Sequence, residues 1–189
     1  MYKTELTDES AKVLAYGKEP FFNRAPEHFC SHRHTPYTTD KGTPGIVIGK
    51  DGAYIAWNIF SEYADIGCYS AKEAVIKTIE ELIGENKTLR TSLPSTGVVS
   101  LTEQEDKSRF ILHALFATPI KRGHLNTAVE VIEDLIPVYN QTFEIKIDRP
   151  VKSVVLVPEN KEIPFEYKNG VLSFVIDRIE CKQIAVINI

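Results

Sequence analysis

Three of the five histidines in this chain lie within seven residues, in the segment 28–34. If this segment is extended, His28, Cys30, His32 and His34 point to one face, because side chains alternate along a strand. Imidazole and thiolate are ligands that zinc prefers, and three protein ligands plus a water would form a catalytic zinc site. The alternative, which we favour, is a polar surface segment whose histidines form hydrogen bonds without a metal. We therefore predict no bound metal and no cofactor.

The same segment is a candidate for lining a substrate site. A role in core packing does not explain these residue types, because polar side chains bury little apolar area. The residues concerned are His28, His32, Arg33 and His34. Histidines also respond to small changes of environment near neutral pH. We predict that these four side chains lie on a surface loop or edge strand and contact a substrate or a neighbouring domain.

Trp57 is the sole tryptophan and lies in an apolar stretch that the alternation of residues predicts to be a strand, 53–60. Aromatic rings stack on sugar rings, so Trp57, with Tyr54 or Tyr63 nearby, could bind a carbohydrate. A tryptophan in a strand also removes a large apolar surface from water, so a place in the core or in an interface is the alternative. We retain Trp57 as a candidate that lines a substrate site.

The carboxylates do not form a catalytic pair in the sequence. Glu130, Glu133 and Asp134 are close neighbours on one segment, whereas glycoside hydrolysis needs two carboxyl groups that face each other about 5–10 Å apart. Ser31 and Cys30 have histidine neighbours but no Gly-x-Ser-x-Gly elbow, and the chain has no phosphate-binding glycine loop. We predict no catalytic residue and a chain that is not catalytic alone.

The composition excludes several classes of protein. The 189 residues carry a formal charge of −4, with 22 scattered basic residues, which argues against a nucleic acid as partner. The longest stretch without Asp, Glu, Lys or Arg is 12 residues, too short for a membrane span. Three distant cysteines and an N-terminus unlike a signal peptide predict a cytoplasmic protein with reduced thiols.

One helix is predicted over Ser70–Ile83. Ser70 and Glu73 have the spacing of a capping box at its start, and Gly84 is suited to end it in the left-handed conformation. Apolar residues at helical spacing, which include Ile79 and Ile83, predict the face that packs on a sheet.

The remaining elements read as short strands separated by turn signals, among them Val98–Gln104 and Ile163–Tyr167. Lys50-Asp51-Gly52 and Asn169-Gly170 predict hairpins, because both tolerate the positive φ of tight turns. The pattern predicts an α+β, mainly β fold: a remnant of an α/β layer in residues 1–85 and an antiparallel β-sandwich in residues 86–189. A sheet with few strands exposes edges that recruit partners, so we expect a homo-oligomer held mainly by residues 1–85.

Several stretches together resemble the C-terminal portion of bacterial glycoside-hydrolase-like proteins, some of which are α-L-fucosidases. The stretches are FFNR (21–24), HFCSHRHTP (28–36), PGIV (44–47), YIAWNIF (54–60), TSLPS (91–95), PIKRG (119–123) and VEVIEDLIPVYN (129–140).

The resemblance implies a function as well as a fold. In that family a TIM-barrel hydrolase domain is followed by a flavodoxin-like domain of the β-galactosidase trimerisation type and then by a small β-domain. Residues 1–85 would be part of the trimerisation-type domain, and the catalytic barrel would lie outside this chain. The function implied is a non-catalytic accessory and assembly region, with the histidine segment facing the barrel. A stand-alone carbohydrate-binding module and a small metal-dependent hydrolase built on the histidine cluster are the alternatives.

Overall fold

The chain folds as two compact units, Met1–Asn86 and Lys87–Ile189. The computed structural model describes residues 2–18, 37–38, 40–124 and 126–189. All strand pairs in these residues are antiparallel, and the described residues contain two α-helices. The mainly β, α+β fold class is therefore confirmed. No helix in the described part is long and apolar enough to cross a bilayer.

The first unit is a three-stranded sheet followed by two helices. Its elements are β1 (Lys12–Gly17), β2 (Thr43–Gly49), β3 (Gly52–Ile55), α1 (Ile59–Ile66), α2 (Tyr69–Ile83) and a 3₁₀ turn (Gly84–Asn86). The strands are ordered β1-β2-β3, and Gly49 pairs with Gly52 around the predicted Lys50-Asp51 turn. That hairpin is confirmed. The described residues of this unit contain no parallel strand pair of the flavodoxin type.

The strand predicted over residues 53–60 ends at Ile55 in the structure, so the prediction is wrong for the residues after Ile55. The Ala56 amide donates to the carbonyl of Gly45 at 2.8 Å, and the chain then turns at Trp57 and enters α1 at Ile59. Ile59 is buried at the start of this helix. Burial of Ile59 after the turn therefore outweighs the period-two alternation of the sequence, which had predicted that the strand continues.

The capping box predicted for the second helix is also wrong. The N-cap is Cys68, which makes no side-chain cap hydrogen bond, and Ser70 lies inside the first turn. Glu73 instead accepts a hydrogen bond from the Tyr69 hydroxyl, which raises the pKa of Tyr69. The helix ends before Gly84 as predicted, but φ 54° and ψ −129° place Gly84 outside the left-handed helical region.

The second unit is an antiparallel β-sandwich. Its elements are β4 (Leu89–Thr91), β5 (Val98–Gln104), a 3₁₀ turn (Glu105–Lys107), β6 (Arg109–Phe116), β7 (Ile120–Arg122), β8 (Val129–Val131), β9 (Val138–Lys146), β10 (Ser153–Val157), β11 (Lys161–Ile163), β12 (Phe165–Lys168), β13 (Val171–Ile179) and β14 (Cys181–Asn188). One sheet has the order β11-β10-β14-β6-β5 and the other β12-β13-β9-β4, and β7 and β8 form a separate hairpin.

The sandwich core is built from every second residue of its strands. Phe143 and Ile145 of β9 are fully buried, and the Phe143 ring stacks on Phe174 of β13 with centroids 5.5 Å apart. The predicted Asn169-Gly170 turn joins β12 to β13, with φ of 53° and 76°. Period-two alternation with a primed turn therefore specifies this unit from local sequence.

One predicted strand of this unit, 163–167, is divided in the structure. Residues before Pro164 belong to β11 of the five-stranded sheet, and residues after it belong to β12 of the four-stranded sheet. Proline has no amide hydrogen for a strand ladder, so the chain changes sheets at this position.

Candidate functional site

Trp57 borders a cleft of about 350 Å³ in the first unit. The cleft is lined by the end of β1, by the turn before α1 and by the first turn of α2. The described residues that line it are Ala15, Tyr16, Gly17, Trp57, Glu62, Cys68, Ser70 and Ala71. Two aromatic rings, one carboxylate, one thiol and two hydroxyl groups of these residues therefore share a single depression.

Trp57 is held in a defined orientation by two contacts. Its indole Nε1–H donates to Glu62 Oε2 at 3.1 Å, and its ring lies close to Gly45 of β2, where an added Cβ would meet Cζ3 at 3.4 Å. Glu62 can reach the indole because it lies in the first turn of α1, five residues after Trp57. The half-buried ring combines an apolar surface with a polar edge, as aromatic residues in binding sites do.

Cys68 and Ser70 form the second polar edge of the cleft. The Cys68 Sγ and Ser70 Oγ atoms are 3.1 Å apart. The hydrogen bond from the Ser70 hydroxyl, together with the backbone N–H of Ala71, lowers the pKa of Cys68 below its usual value. Stabilisation of the thiolate at the N-terminus of a helix is a known cause of cysteine reactivity.

The cleft can bind a small polar molecule with an apolar face. Its aromatic rings offer stacking surface, and Glu62 and Ser70 offer an acceptor and a donor for hydroxyl groups. Among the described residues that line it, Glu62 is the one that carries a carboxylate. A pair of opposed carboxyl groups, as glycoside hydrolysis requires, is therefore not assembled by these residues.

The other predicted site residues have different outcomes. His28, Cys30, His32, Arg33 and His34 lie outside the described residues, so their roles stay predictions. In the described part, no group of three or more His, Cys, Asp and Glu residues is placed to hold a metal.

The aromatic partners suggested for Trp57 lie elsewhere. Tyr54 lines a different cleft, beside the N-terminal segment, and Tyr63 is exposed on α1. Tyr16 takes their place, and no local signal in the sequence connects Tyr16 with Trp57. Glu62 could have been found only if the start of α1 had been recognised.

The acidic segment of the second unit is engaged in an ion pair. Two of the three guanidinium nitrogens of Arg122, Nε and Nη2, donate to the two carboxylate oxygens of Glu133, each at 2.7 Å. This bidentate contact lowers the pKa of Glu133. This exposed ion pair therefore links β7 to the segment that follows β8, and Glu130 is exposed on β8.

Comparison with known proteins supports a hydrolase relationship. No protein-family model and no curated protein matches the chain. Among solved structures, the chain is similar to α-L-fucosidase isoenzyme 2 from Paenibacillus thiaminolyticus, with 39% sequence identity and a TM-score of 0.84. This chain resembles part of a fucosidase-like glycoside hydrolase. The resemblance inferred from the sequence stretches is thus confirmed.

The similarity has a defined extent. It covers 94% of this chain but only 27% of the fucosidase chain. Both units of the chain are therefore included, while most of the fucosidase has no counterpart here.

Proposed function

We propose that this chain is a non-catalytic accessory and assembly region of a glycoside-hydrolase-like enzyme. The observation that carries the proposal is the extent of the similarity: nearly all of this chain matches about a quarter of an α-L-fucosidase. A fold that matches only a minor part of an enzyme is expected to support the catalytic part rather than replace it.

The Trp57 cleft supports a role beside a sugar. An indole oriented by Glu62 presents a fixed apolar face, and a pre-organised aromatic face loses little entropy on binding. With Glu62 as the one carboxylate among its described lining residues, the cleft is suited to holding a hydroxylated ligand, while the reacting carboxylates would come from the catalytic part. In this proposal Trp57 forms one wall of the sugar-binding space of the parent enzyme.

An exchange experiment tests the accessory role. The homologous part of the Paenibacillus fucosidase is replaced by this chain, and the chimera is assayed with a nitrophenyl α-L-fucoside. We expect activity to be retained, and we expect Trp57→Ala in the chimera to raise KM more than it lowers kcat. Tyr54→Ala, at an exposed aromatic outside the cleft, is the matched control and should leave KM unchanged.

The chain alone provides the opposing test. Purified to homogeneity, it should not hydrolyse nitrophenyl glycosides. Hydrolysis that survives purification and is lost in Glu62→Gln would overturn the non-catalytic assignment.

A stand-alone carbohydrate-binding module is the second candidate, and the same cleft favours it. The two functions differ in what the isolated chain does when L-fucose or another sugar is added. If the chain is a stand-alone module, added sugar should quench Trp57 fluorescence in a saturable way, and Glu62→Gln should weaken this binding. If the chain is an accessory region, the chain alone should show no saturable change in fluorescence, because the rest of the sugar site belongs to the catalytic part.

The histidine segment gives a fourth test. If it lines substrate without a metal, elemental analysis of untagged protein shows no stoichiometric zinc, and His32→Ala in the chimera raises KM. Stoichiometric zinc that is lost in the His32→Ala, His34→Ala double variant would support the metal-dependent alternative instead.

A further inference from the structure

Strand β13 of the sandwich has an open edge along its second half. It runs from Val171 to Ile179, and β9 pairs with it along nearly all of this length. On the other side of β13, β12 pairs with Val171–Phe174 and extends no further. Among the described residues, no strand therefore takes the place of β12 beside residues 175–179. Backbone N–H and C=O groups on such an edge can pair with a further strand.

The edge is open because the chain changes sheets at Pro164. Lys161–Ile163 is β11 of the five-stranded sheet, whereas β12 begins at Phe165, which pairs with Phe174 of β13. The residues before Phe165 thus belong to the other sheet at the point where they would otherwise pair with Val175. The space of one strand beside the second half of β13 is therefore a result of the topology, and not of a frayed end.

A groove of about 650 Å³ lies beside this open edge. Val175 and Asp177 of β13 contribute to its lining, and so do residues 163–166, where the chain crosses between the sheets. Pro164, Phe165 and Val175 supply apolar surface, and the Val175 side chain is exposed. The unpaired backbone and an apolar surface therefore occur at one place, which is the combination that binds a peptide by strand addition.

The charges of the groove favour a basic occupant. Its described lining residues carry three carboxylates, on Glu144, Glu166 and Asp177, and one ammonium, on Lys161, which leaves a net charge of −2. Glu166 is exposed and forms no ion pair with another described residue. Asp177 has Lys161 as a partner at 3.6 Å, but both side chains are exposed, so this pair is weak and can exchange. Two copies of this edge would set their acidic groups against each other, which disfavours pairing between identical edges.

We propose that the open edge of β13 binds an extended segment of another protein in which basic and apolar residues alternate. The backbone of the segment adds to the four-stranded sheet as a strand beside residues 175–179. Because side chains alternate along a strand, its basic residues lie on the groove side with Val175 and Asp177, and its apolar residues lie on the side of buried Ile176. The site belongs to the second unit and uses no residue of the Trp57 cleft.

A synthetic peptide of strand length, about seven residues, serves as the probe. It alternates lysine and valine, has blocked ends and carries a fluorophore, and its anisotropy is measured while the 189-residue chain is added. We expect saturable binding at low salt that weakens as salt is added, because exposed charges are screened. A peptide that alternates glutamate and valine is the matched control, and it should not bind.

Backbone methylation of the probe separates strand addition from simple charge attraction. The N–H groups of successive residues in a strand point to opposite edges, so either the lysine amides or the valine amides face β13. One probe is N-methylated at its lysines and a second at its valines. We expect one of the two to bind at least about tenfold more weakly than the unmodified peptide, and the other to bind within about threefold of it.

Variants of the chain place the bound probe on this edge. Glu166→Lys and Asp177→Lys should each weaken binding about threefold or more, because each replaces an attractive charge by a repulsive one. Lys161→Gln should strengthen binding, because it removes the ammonium that competes for Asp177. Asp106→Lys, on the exposed turn between β5 and β6, makes the same change of net charge and should leave the dissociation constant unchanged. Circular dichroism checks that each variant is folded.

Three results would overturn the proposal. The first is no saturable binding of the lysine–valine peptide at up to about 1 mM chain at low salt. The second is equal binding of the two N-methylated probes, which would mean charge attraction without strand addition. The third is a wild-type chain whose self-association is lost in Asp177→Lys, which would assign the edge to a second copy. None of these results changes the outcome expected for the fucosidase chimera, so the two proposals fail separately.

Discussion

Replacing Phe143 with alanine should destabilise the β-sandwich and leave the first unit unaffected. Phe143 is fully buried, and its ring stacks on Phe174 of the neighbouring strand. A buried Phe→Ala change costs about 3–5 kcal/mol through lost transfer free energy and the cavity left behind. Because this side chain is fully buried, we expect about 4 kcal/mol, a large part of the roughly 5–15 kcal/mol that stabilises a domain.

The single tryptophan makes the assay specific to a unit. Trp57 lies in the first unit, so its fluorescence reports unfolding there, whereas hydrogen exchange of the backbone amides of β9 and β13, measured as a function of urea concentration, reports unfolding of the sandwich. With an m-value of about 1–3 kcal/mol per molar urea, Phe143→Ala should lower the sandwich midpoint by at least about 1.3 M. Val175→Ala, an exposed position on β13, is the matched control and should change stability by less than about 0.5 kcal/mol.

Two results would refute this reasoning. A loss below about 2 kcal/mol in Phe143→Ala would mean that the core collapses around the cavity. An equal shift of the Trp57 transition would mean that the two units unfold as one, against the division into two domains near residue 85.

Three further predictions concern single residues. Ser70→Ala should slow alkylation of Cys68 at neutral pH and move the rate–pH midpoint upward, because it removes the hydrogen bond that lowers the pKa of this thiol; mass spectrometry of the labelled peptide measures both. Glu133 has a lowered pKa, so its stabilising effect is present above the unfolded value of about 4.3 and is lost as the pH falls through the folded value. Hydrogen exchange of the β7–β8 hairpin should therefore increase on acidification in the wild type and change less in Glu133→Gln. Gly42→Ala should cost about 1–3 kcal/mol by urea denaturation, because Gly42 has φ +78° and an added Cβ would lie 1.8 Å from the carbonyl oxygen of Gly17.

The elements that sequence reasoning predicted correctly are those that local patterns determine. Val98–Gln104 is a strand with the predicted bounds, and the Asn169-Gly170 turn lies where a primed turn was expected. Alternation of period two and a turn that needs positive φ are properties of a few neighbouring residues. Such features can be recognised without knowledge of the rest of the fold.

The elements that it missed depend on distant contacts. Helix α1 replaces the end of a predicted strand because Ala56 bonds to Gly45, and Pro164 divides another strand because two different sheets receive its halves. The exposed face of α2, which includes Ile79 and Ile83, could not be told from a core face, since periodicity locates a stripe but does not say what covers it.

The candidate site was predictable only in part for the same reason. Trp57 could be selected by residue type, because a lone tryptophan with a polar edge is a plausible ligand contact. Tyr16, Glu62 and Cys68 join it from three separate elements, and the fold alone brings them together. The histidine segment was conspicuous by composition, and its predicted role awaits the tests given above.

The position of β14 in its sheet has a consequence for the biosynthesis of this protein. This strand is the last of the second unit along the chain, yet it lies in the middle of the five-stranded sheet, between β10 and β6. During synthesis on the ribosome, one edge of β6 and one edge of β10 therefore remain unpaired until residues 181–188 have emerged. Unpaired strand edges are prone to pairing with other chains. Premature termination or proteolysis before Cys181 would thus remove the central strand of the sheet and not an edge strand. Nascent chains of this protein should consequently depend on chaperones until the final strand is available.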